Sequence, residues 1–471
     1  MAYNTYDLGL FAIFCIAIIL FIIFERKKMV REGLMYLYKT SIGLKLMDRI
    51  AKKYPKTLRF LSYVIVFVGF ILLFLSIYFL IDIIKVFMNP LYVKIIKIPP
   101  IMPLIPYLPE LFKISWLPSL PFSNFILALA LVAIFHEGFH GIFARFYKIK
   151  IKSSGFGFLG PFLAFFVEQD EESMKKAKPF SQMTVLAAGV FANILLAILF
   201  LIIMLLFTAV AYTPAGVIYG DYAASMVPYS EIAIAPIIGH ISIDGANVSV
   251  INIQNVSYLL PSNIALNTNL GPDTLAKLYL AAPAIEAGLN GAISKINGNK
   301  ITSQEVLARE LSNYRPGEIV NITTIFKNDS KITSLNYQIK LSSNPLNSSK
   351  SFLGIASYQT SSTTKIKEFL YKLTNFFKDP SVFYEPKTNP ELMSFIYNLL
   401  FWLFMINFGV ALANMWPVAI FDGGYFFYLI VFSLTKNKNI AEKALKISTT
   451  LFLASLVLVM FFWAKALFFT A

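Results

Sequence analysis

Apolar residues fall in long unbroken blocks along this chain, with little of the short-period alternation that marks a water-soluble domain. Blocks long enough to cross a bilayer, which takes about 20 helical residues, lie at 5–24, 60–87, 122–147, 181–213, 395–434 and 445–469. The pattern predicts six transmembrane helices. One interval interrupts it. From 214 to 392 the blocks give way to short alternating stretches set among Asn, Ser, Gly and Pro, as strands and turns require. The expected fold class is a polytopic α-helical membrane protein with an inserted α+β domain. Its segments are 1–59 (N-terminal anchor and basic loop), 60–213 (membrane core), 214–392 (insert) and 393–471 (C-terminal membrane core).

Charge orients the blocks. The 471 residues include 41 Lys and Arg against 26 Asp and Glu, a formal charge of +15, which in a soluble protein would point to nucleic acid. Here 57% of residues are hydrophobic and the cations flank apolar blocks, so they read as topology signals and anionic-lipid contacts. Membrane lipid is an expected partner and nucleic acid is not. The first block is no cleaved signal peptide, because Asp7 stands where a basic n-region belongs and Arg26, Lys27 and Lys28 follow as a stop-transfer flank. The segment Arg26 to Arg59, rich in Lys and Arg, is placed in the cytoplasm by the positive-inside rule. Counting spans from there leaves the N-terminus, the Pro-rich stretch 99–121 and the insert outside. All the N-x-S/T sequons, at Asn247, Asn255, Asn321, Asn328 and Asn347, lie in that insert. Together with the single cysteine, Cys15, they fit a prokaryotic cell membrane.

The third block carries the chemistry. His136-Glu137-Gly138-Phe139-His140 sets two imidazoles four residues apart on one helical face, where they can share a metal ion, with Glu137 about a quarter-turn away. A zinc hydrolase needs three protein ligands, an open position for water and a carboxylate to take the water's proton. The third ligand must come from elsewhere in the chain. The 40 residues of 395–434 would extend about 60 Å as one helix, roughly twice the hydrocarbon thickness, so this span must break. Pro417 and Gly423-Gly424 mark the break, and beside them is Asp422, a lone carboxylate in an apolar run. His136 lies 14 residues into its span, about 21 Å along a helix. Asp422 also lies past the middle of its own span, so the two can meet at one level toward the cytoplasmic side.

H-E-x-x-H in one span with Asn414-x-x-Pro417-x-x-x-x-Asp422-Gly423 in a later one resembles the site-2 protease family of intramembrane zinc metalloproteases. The resemblance implies zinc held by His136, His140 and Asp422, water activation by Glu137, a hold on the substrate backbone or an oxyanion by Asn414, and a helix break at Pro417. Gly189-x-x-x-Asn193 fits a further family element, with Val190 in place of its usual proline, and Phe421 stands where leucine is common. Asn193 reads either as interhelical hydrogen-bond glue or as support for the site. The stretch 153–162, too short and Gly-rich for a span, looks like the family's membrane re-entrant β-loop, whose exposed edge would pair with an unwinding substrate. Gly155 and Gly157 are then either turn residues or substrate contacts.

In the insert, Pro283 to Leu289 followed by Ile293 to Ile301 resembles the carboxylate-loop and strand region of a PDZ domain, spanning about 280–345. A helical stretch Gln304 to Leu311 and an alternating strand Ile319 to Phe326 follow, and Asn297-Gly298 is a hairpin signal in its own right. Residues 221–280 match no pattern as specific as that, and read either as an insertion within the PDZ-like fold or as a small separate β-rich unit. His240 is read as an ordinary strand residue, Glu168, Asp170, Glu171 and Glu172 as solvated loop, and Arg145 as a snorkelling cation.

The expected function is zinc-dependent cleavage of a peptide bond within a transmembrane helix of another membrane protein. The insert would act as a size filter or as a reader of a newly exposed C-terminal peptide. Two other readings use the same residues: a non-catalytic PDZ receptor or chaperone with a vestigial metal motif, and a CAAX-type membrane metalloprotease. The latter normally takes its third ligand from a glutamate in a later membrane helix, and the later apolar blocks of this chain offer none.

Overall fold

The computed structural model describes residues 5–33, 35–89, 104–112, 114, 117–159, 162–243, 246–260, 273–328, 331–357, 378–379 and 381–468. The chain divides into two compact units, one made of residues up to Leu206 and from Ser394 onward, the other built mainly from the stretch between them.

The first unit is helical. Six helices among the described residues are long and apolar enough to cross a membrane: Thr5–Lys28, Pro55–Met88, Phe122–Phe146, Pro179–Ala211, Pro390–Asn414 and Lys438–Lys465. The helices that matter below are α1 (Thr5–Glu25), α2 (Leu44–Lys53), α3 (Pro55–Met88), α4 (Phe122–Phe146), α5 (Pro179–Ala211), α6 (Pro390–Asn414), α7 (Asp422–Thr435) and α8 (Lys438–Phe468). Their shared core packs Ile65, Phe143, Val185, Ala187, Ala411, Met415 and Phe426.

The long fifth block is two helices, α6 and α7, parted at Met415–Phe421 with Pro417 inside the gap. A break at membrane depth is tolerated only where protein satisfies the freed backbone groups, and neighbouring hydroxyls do so here. Ser76 of α3 donates to the Met415 carbonyl at 3.2 Å. From α8, Ser448 donates to the Pro417 carbonyl at 2.8 Å and Thr449 Oγ1 accepts from the Ala419 amide at 3.1 Å. A Cβ on Gly423 or Gly424 would sit well inside contact with the backbone of Met415 or Val418, so these two residues let the chain fold back on itself.

Two parts of the unit differ from the sequence expectation. The basic segment 26–59 is not simply loop. It forms β1 (Met29–Glu32), β2 (Met35–Thr40) and the amphipathic α2, and β2 pairs with the expected re-entrant stretch. That stretch is a hairpin of β3 (Ile151–Leu159) and β4 (Phe162–Gln169); Gly160 and Pro161 fall outside the described residues. The sheet order is β1-β2-β3-β4, so β3 has a neighbour on each side and the open edge belongs to β4. Gly155 and Gly157 are therefore in a central strand. A Cβ on Gly155 would run into the Tyr38 carbonyl, and one on Gly157 would come 3.0 Å from Met35 Cε, so both glycines serve the close approach of β2 to β3. Nor is Glu168 a solvated loop residue. It sits on β4, accepts from Ser153 Oγ at 2.6 Å and from Lys39 Nζ at 2.9 Å, and these partners hold its carboxyl below the usual glutamate range. Asp170 accepts from the Ser173 amide at 2.9 Å and caps a short helix.

The HEGFH helix, α4, is braced at both ends. At its N-terminus the first amides lack intrahelical partners, and Asp7 of α1 accepts from the Phe122 amide at 2.7 Å, the Ser123 amide at 3.0 Å and the Tyr107 hydroxyl at 2.6 Å. Toward its C-terminus α2 lies so close that a Cβ on Gly141 would overlap Met47 Sδ. Arg145 is ion-paired there, its Nε 3.2 Å from Asp48 Oδ1.

The second unit is β-rich. A six-stranded sheet includes Tyr212–Val217, Ala292–Ile296, Ile319–Asn328, Lys331–Lys340 and Val382–Pro386, with a helix at Gln304–Ser312 whose N-cap, Ser303, accepts from the Val306 amide. Asn297 and Gly298 have φ of 47° and 89° and turn the chain between Ile296 and Asn299, as a two-residue hairpin loop demands. Residues 221–280, expected as an insertion within the PDZ-like fold or as a small separate β-rich unit, contribute five antiparallel strands from Ala224 to Leu280 with a core of Val227, Ile232, Ile251, Ile253, Tyr258 and Leu278. His240 lies on one of these strands with Ser249 Oγ 3.3 Å away.

Candidate metal centre

Helical spacing alone puts His136 and His140 on one face of α4. What aims them is α5, packed across that face. The His140 Nδ1–H donates to the Val185 carbonyl at 2.7 Å, which leaves the Nε2 lone pair free. Asn193 lies 3.0 Å from His136 Nδ1, and its Oδ1 is otherwise a buried acceptor without a partner. Turning the amide so that Oδ1 accepts from the His136 Nδ1–H satisfies that atom and frees the His136 Nε2 as well; oxygen and nitrogen of an Asn amide are assigned by such reasoning.

The two Nε2 atoms then face each other at 3.2 Å. Asp422, the first residue of α7, completes the set, with Oδ2 at 3.5 Å from His136 Nε2 and 3.3 Å from His140 Nε2. Three ligands at about 2.05 Å from a tetrahedral zinc stand about 3.3 Å apart, so this triangle fits the ion. Among the described residues no other group of three His, Cys, Asp or Glu converges in this way. His136 and His140 are buried and Asp422 is half-buried, and a catalytic zinc takes a water beside three such protein ligands. Other expected residues border the cluster. Asn414, the last residue of α6, has its Nδ2 3.2 Å from His136 Nε2. Glu137 turns toward the hairpin, its Oε2 accepting from the Val167 amide of β4 at 2.9 Å. Pro417 lies in the break between Asn414 and Asp422 and so brings both to this level.

Three contributors escaped the sequence reading as site residues. The Val185 carbonyl and Val167 amide are backbone groups, which side-chain identity does not announce. Gly189 was visible as part of G-x-x-x-N but without a role; a Cβ there would overlap His140 Nε2 and lie 2.8 Å from His136 Cε1. Gly189→Ala is expected to displace both imidazoles and strip bound metal, seen as zinc content far below wild type by elemental analysis. Asn193→Ala should be milder, weakening metal affinity by about 10–100-fold, the usual cost of losing an outer hydrogen-bond partner, read by competition with a chromogenic chelator.

The match to known families covers the same elements. Residues 124–459 fit the family described as peptidase family M50. The chain belongs to peptidase family M50, the site-2 protease family. With its six apolar helices it is a multi-pass membrane protein of that family, whose members are zinc-dependent in general and act as metalloproteases. No curated protein matches the chain.

Proposed function

We propose that this M50 protein is an intramembrane zinc endopeptidase that cuts a peptide bond within a transmembrane helix of another membrane protein. The observation that carries the proposal is the His136–His140–Asp422 triangle of zinc dimensions, with its two histidines on α4, a helix long and apolar enough to cross a membrane. His136, His140 and Asp422 would hold a zinc ion, which would supply a Lewis acid and an acidified water. Glu137 takes the proton from the attacking water and delivers it to the leaving amine. Asn414 donates its side-chain N–H to the substrate backbone or to the oxyanion that develops on it. Because a helical amide is shielded by its own hydrogen bonds, the substrate must be extended before it is cut, and the open edge of β4 offers an extended segment a place to pair.

The basic clusters at 26–59, 148–178 and 436–443 support an orientation with the N-terminus and the 214–392 insert outside and the site toward the cytoplasm. The PDZ-like pattern at 280–345 supports a role for the insert as a size filter or as a reader of a C-terminal peptide left by an earlier cleavage. Purified protein in lipid nanodiscs should cleave a single-span reporter, lose that activity to a zinc chelator and regain it with added zinc. A protein that purifies without zinc and cleaves nothing when zinc is supplied would sink the proposal in favour of a non-catalytic receptor.

A further inference from the structure

β4 is the last strand of its sheet, and the hydrogen bond at its outer side goes to Glu137. In an antiparallel pair each residue sends its N–H and C=O together, either toward the partner strand or away from it. Val167, opposite Ser154, sends its N–H to Glu137 and so faces away from β3. The same phase turns the main-chain groups of Leu163 and Phe165 outward, four and two residues before it. An arriving strand can use those two positions. At Val167 the single amide hydrogen is already engaged.

We infer that the Val167 amide is a positioning group. It fastens the Glu137 carboxylate to the end of the open edge, so the ladder formed by a docked strand stops at Phe165. The peptide bond that passes Glu137 is then set by register, counted from the last paired residue. Glu137 has three rotatable side-chain bonds and is only half-buried, and among the described residues this hydrogen bond is the contact that fixes its carboxylate. With Oε2 held, Oε1 is left to take the proton. The inference rests on the reading of Glu137 as the general base.

Val167→Pro tests it, because proline removes the amide hydrogen where that hydrogen is not used by β3. Outward-facing positions of an edge strand tolerate proline, and Phe166 is already extended, as the residue before proline must be. Val167→Ala keeps the amide and serves as control. All proteins are full-length, in nanodiscs, with a single-span substrate whose fragments are mapped by mass spectrometry. Wild type and Val167→Ala should cut one principal bond. Val167→Pro should retain wild-type zinc content and a KM within about twofold, lose at least tenfold in kcat, and spread its cuts over neighbouring bonds. Should Val167→Pro fall short in zinc content or solution behaviour, an ester in place of the 166–167 peptide bond, which deletes only the N–H, decides in its stead. An unchanged principal bond at unchanged kcat overturns the inference while leaving the protease reading intact. A wild-type protein that cuts nothing overturns that reading, and the inference with it.

Discussion

Glu137→Gln should abolish cleavage while leaving zinc in place. The substitution is nearly isosteric, and the amide oxygen of Gln can still accept from Val167, so the hydrogen bond that holds the side chain at 2.9 Å from the edge strand is retained. Gln does not take up a proton near neutral pH. General acid–base catalysis contributes about 10²–10⁴-fold, and a loss of that size in kcat is expected with KM little changed. His136, His140 and Asp422 are untouched, so zinc content by elemental analysis should equal wild type. A Glu137→Gln protein that cleaves at the wild-type rate would show that the proton goes elsewhere.

Asp422→Ala should act one step earlier, on the metal itself. Asp422 Oδ2 lies 3.5 and 3.3 Å from the two Nε2 atoms, and its removal leaves two imidazoles and no anionic ligand. The loss in zinc affinity should exceed the roughly 10–100-fold typical of an outer hydrogen-bond partner, enough for the protein to purify without bound zinc and without activity. Full zinc occupancy in Asp422→Ala would mean that another group supplies the third ligand. The two substitutions separate the roles: one protein keeps its metal and loses turnover, the other loses both.

Much of this site was legible from the sequence because its determinants are local. The i, i+4 spacing of His136 and His140 fixes a shared helical face without knowledge of any other element. Asp422 was legible for a different reason. An apolar block too long for one crossing has to break, proline and glycines show where, and a carboxylate at such a break is too costly to be idle. The same length argument anticipated α6 and α7 as separate helices. What the sequence hid depends on contacts between distant segments. β2 joins β3 across more than a hundred residues, and its Lys and Arg neighbours read as a topology signal rather than as a strand. That pairing leaves the open edge of the hairpin to β4 and sets Gly155 and Gly157 in a central strand, where they pack against β2. Asp7 spoke only against a signal peptide until its three donors were placed, two of them the Phe122 and Ser123 amides at the start of α4 and the third the Tyr107 hydroxyl. Backbone partners such as the Val185 carbonyl and the Val167 amide leave no mark in side-chain identity at all. The five strands between Ala224 and Leu280 have short, irregular alternation, too weak to stand out beside the apolar blocks.

The central claim is that hydrolysis occurs within a membrane segment and needs the metal held by His136, His140 and Asp422. The most direct measurement is to map the new N-terminus of a single-span substrate after incubation with the protein in nanodiscs, once with zinc and once after its removal. The account predicts a cut inside the apolar segment that disappears with the zinc and returns when zinc is restored. A cut confined to residues outside that segment, or one that persists at full rate without zinc, would contradict it.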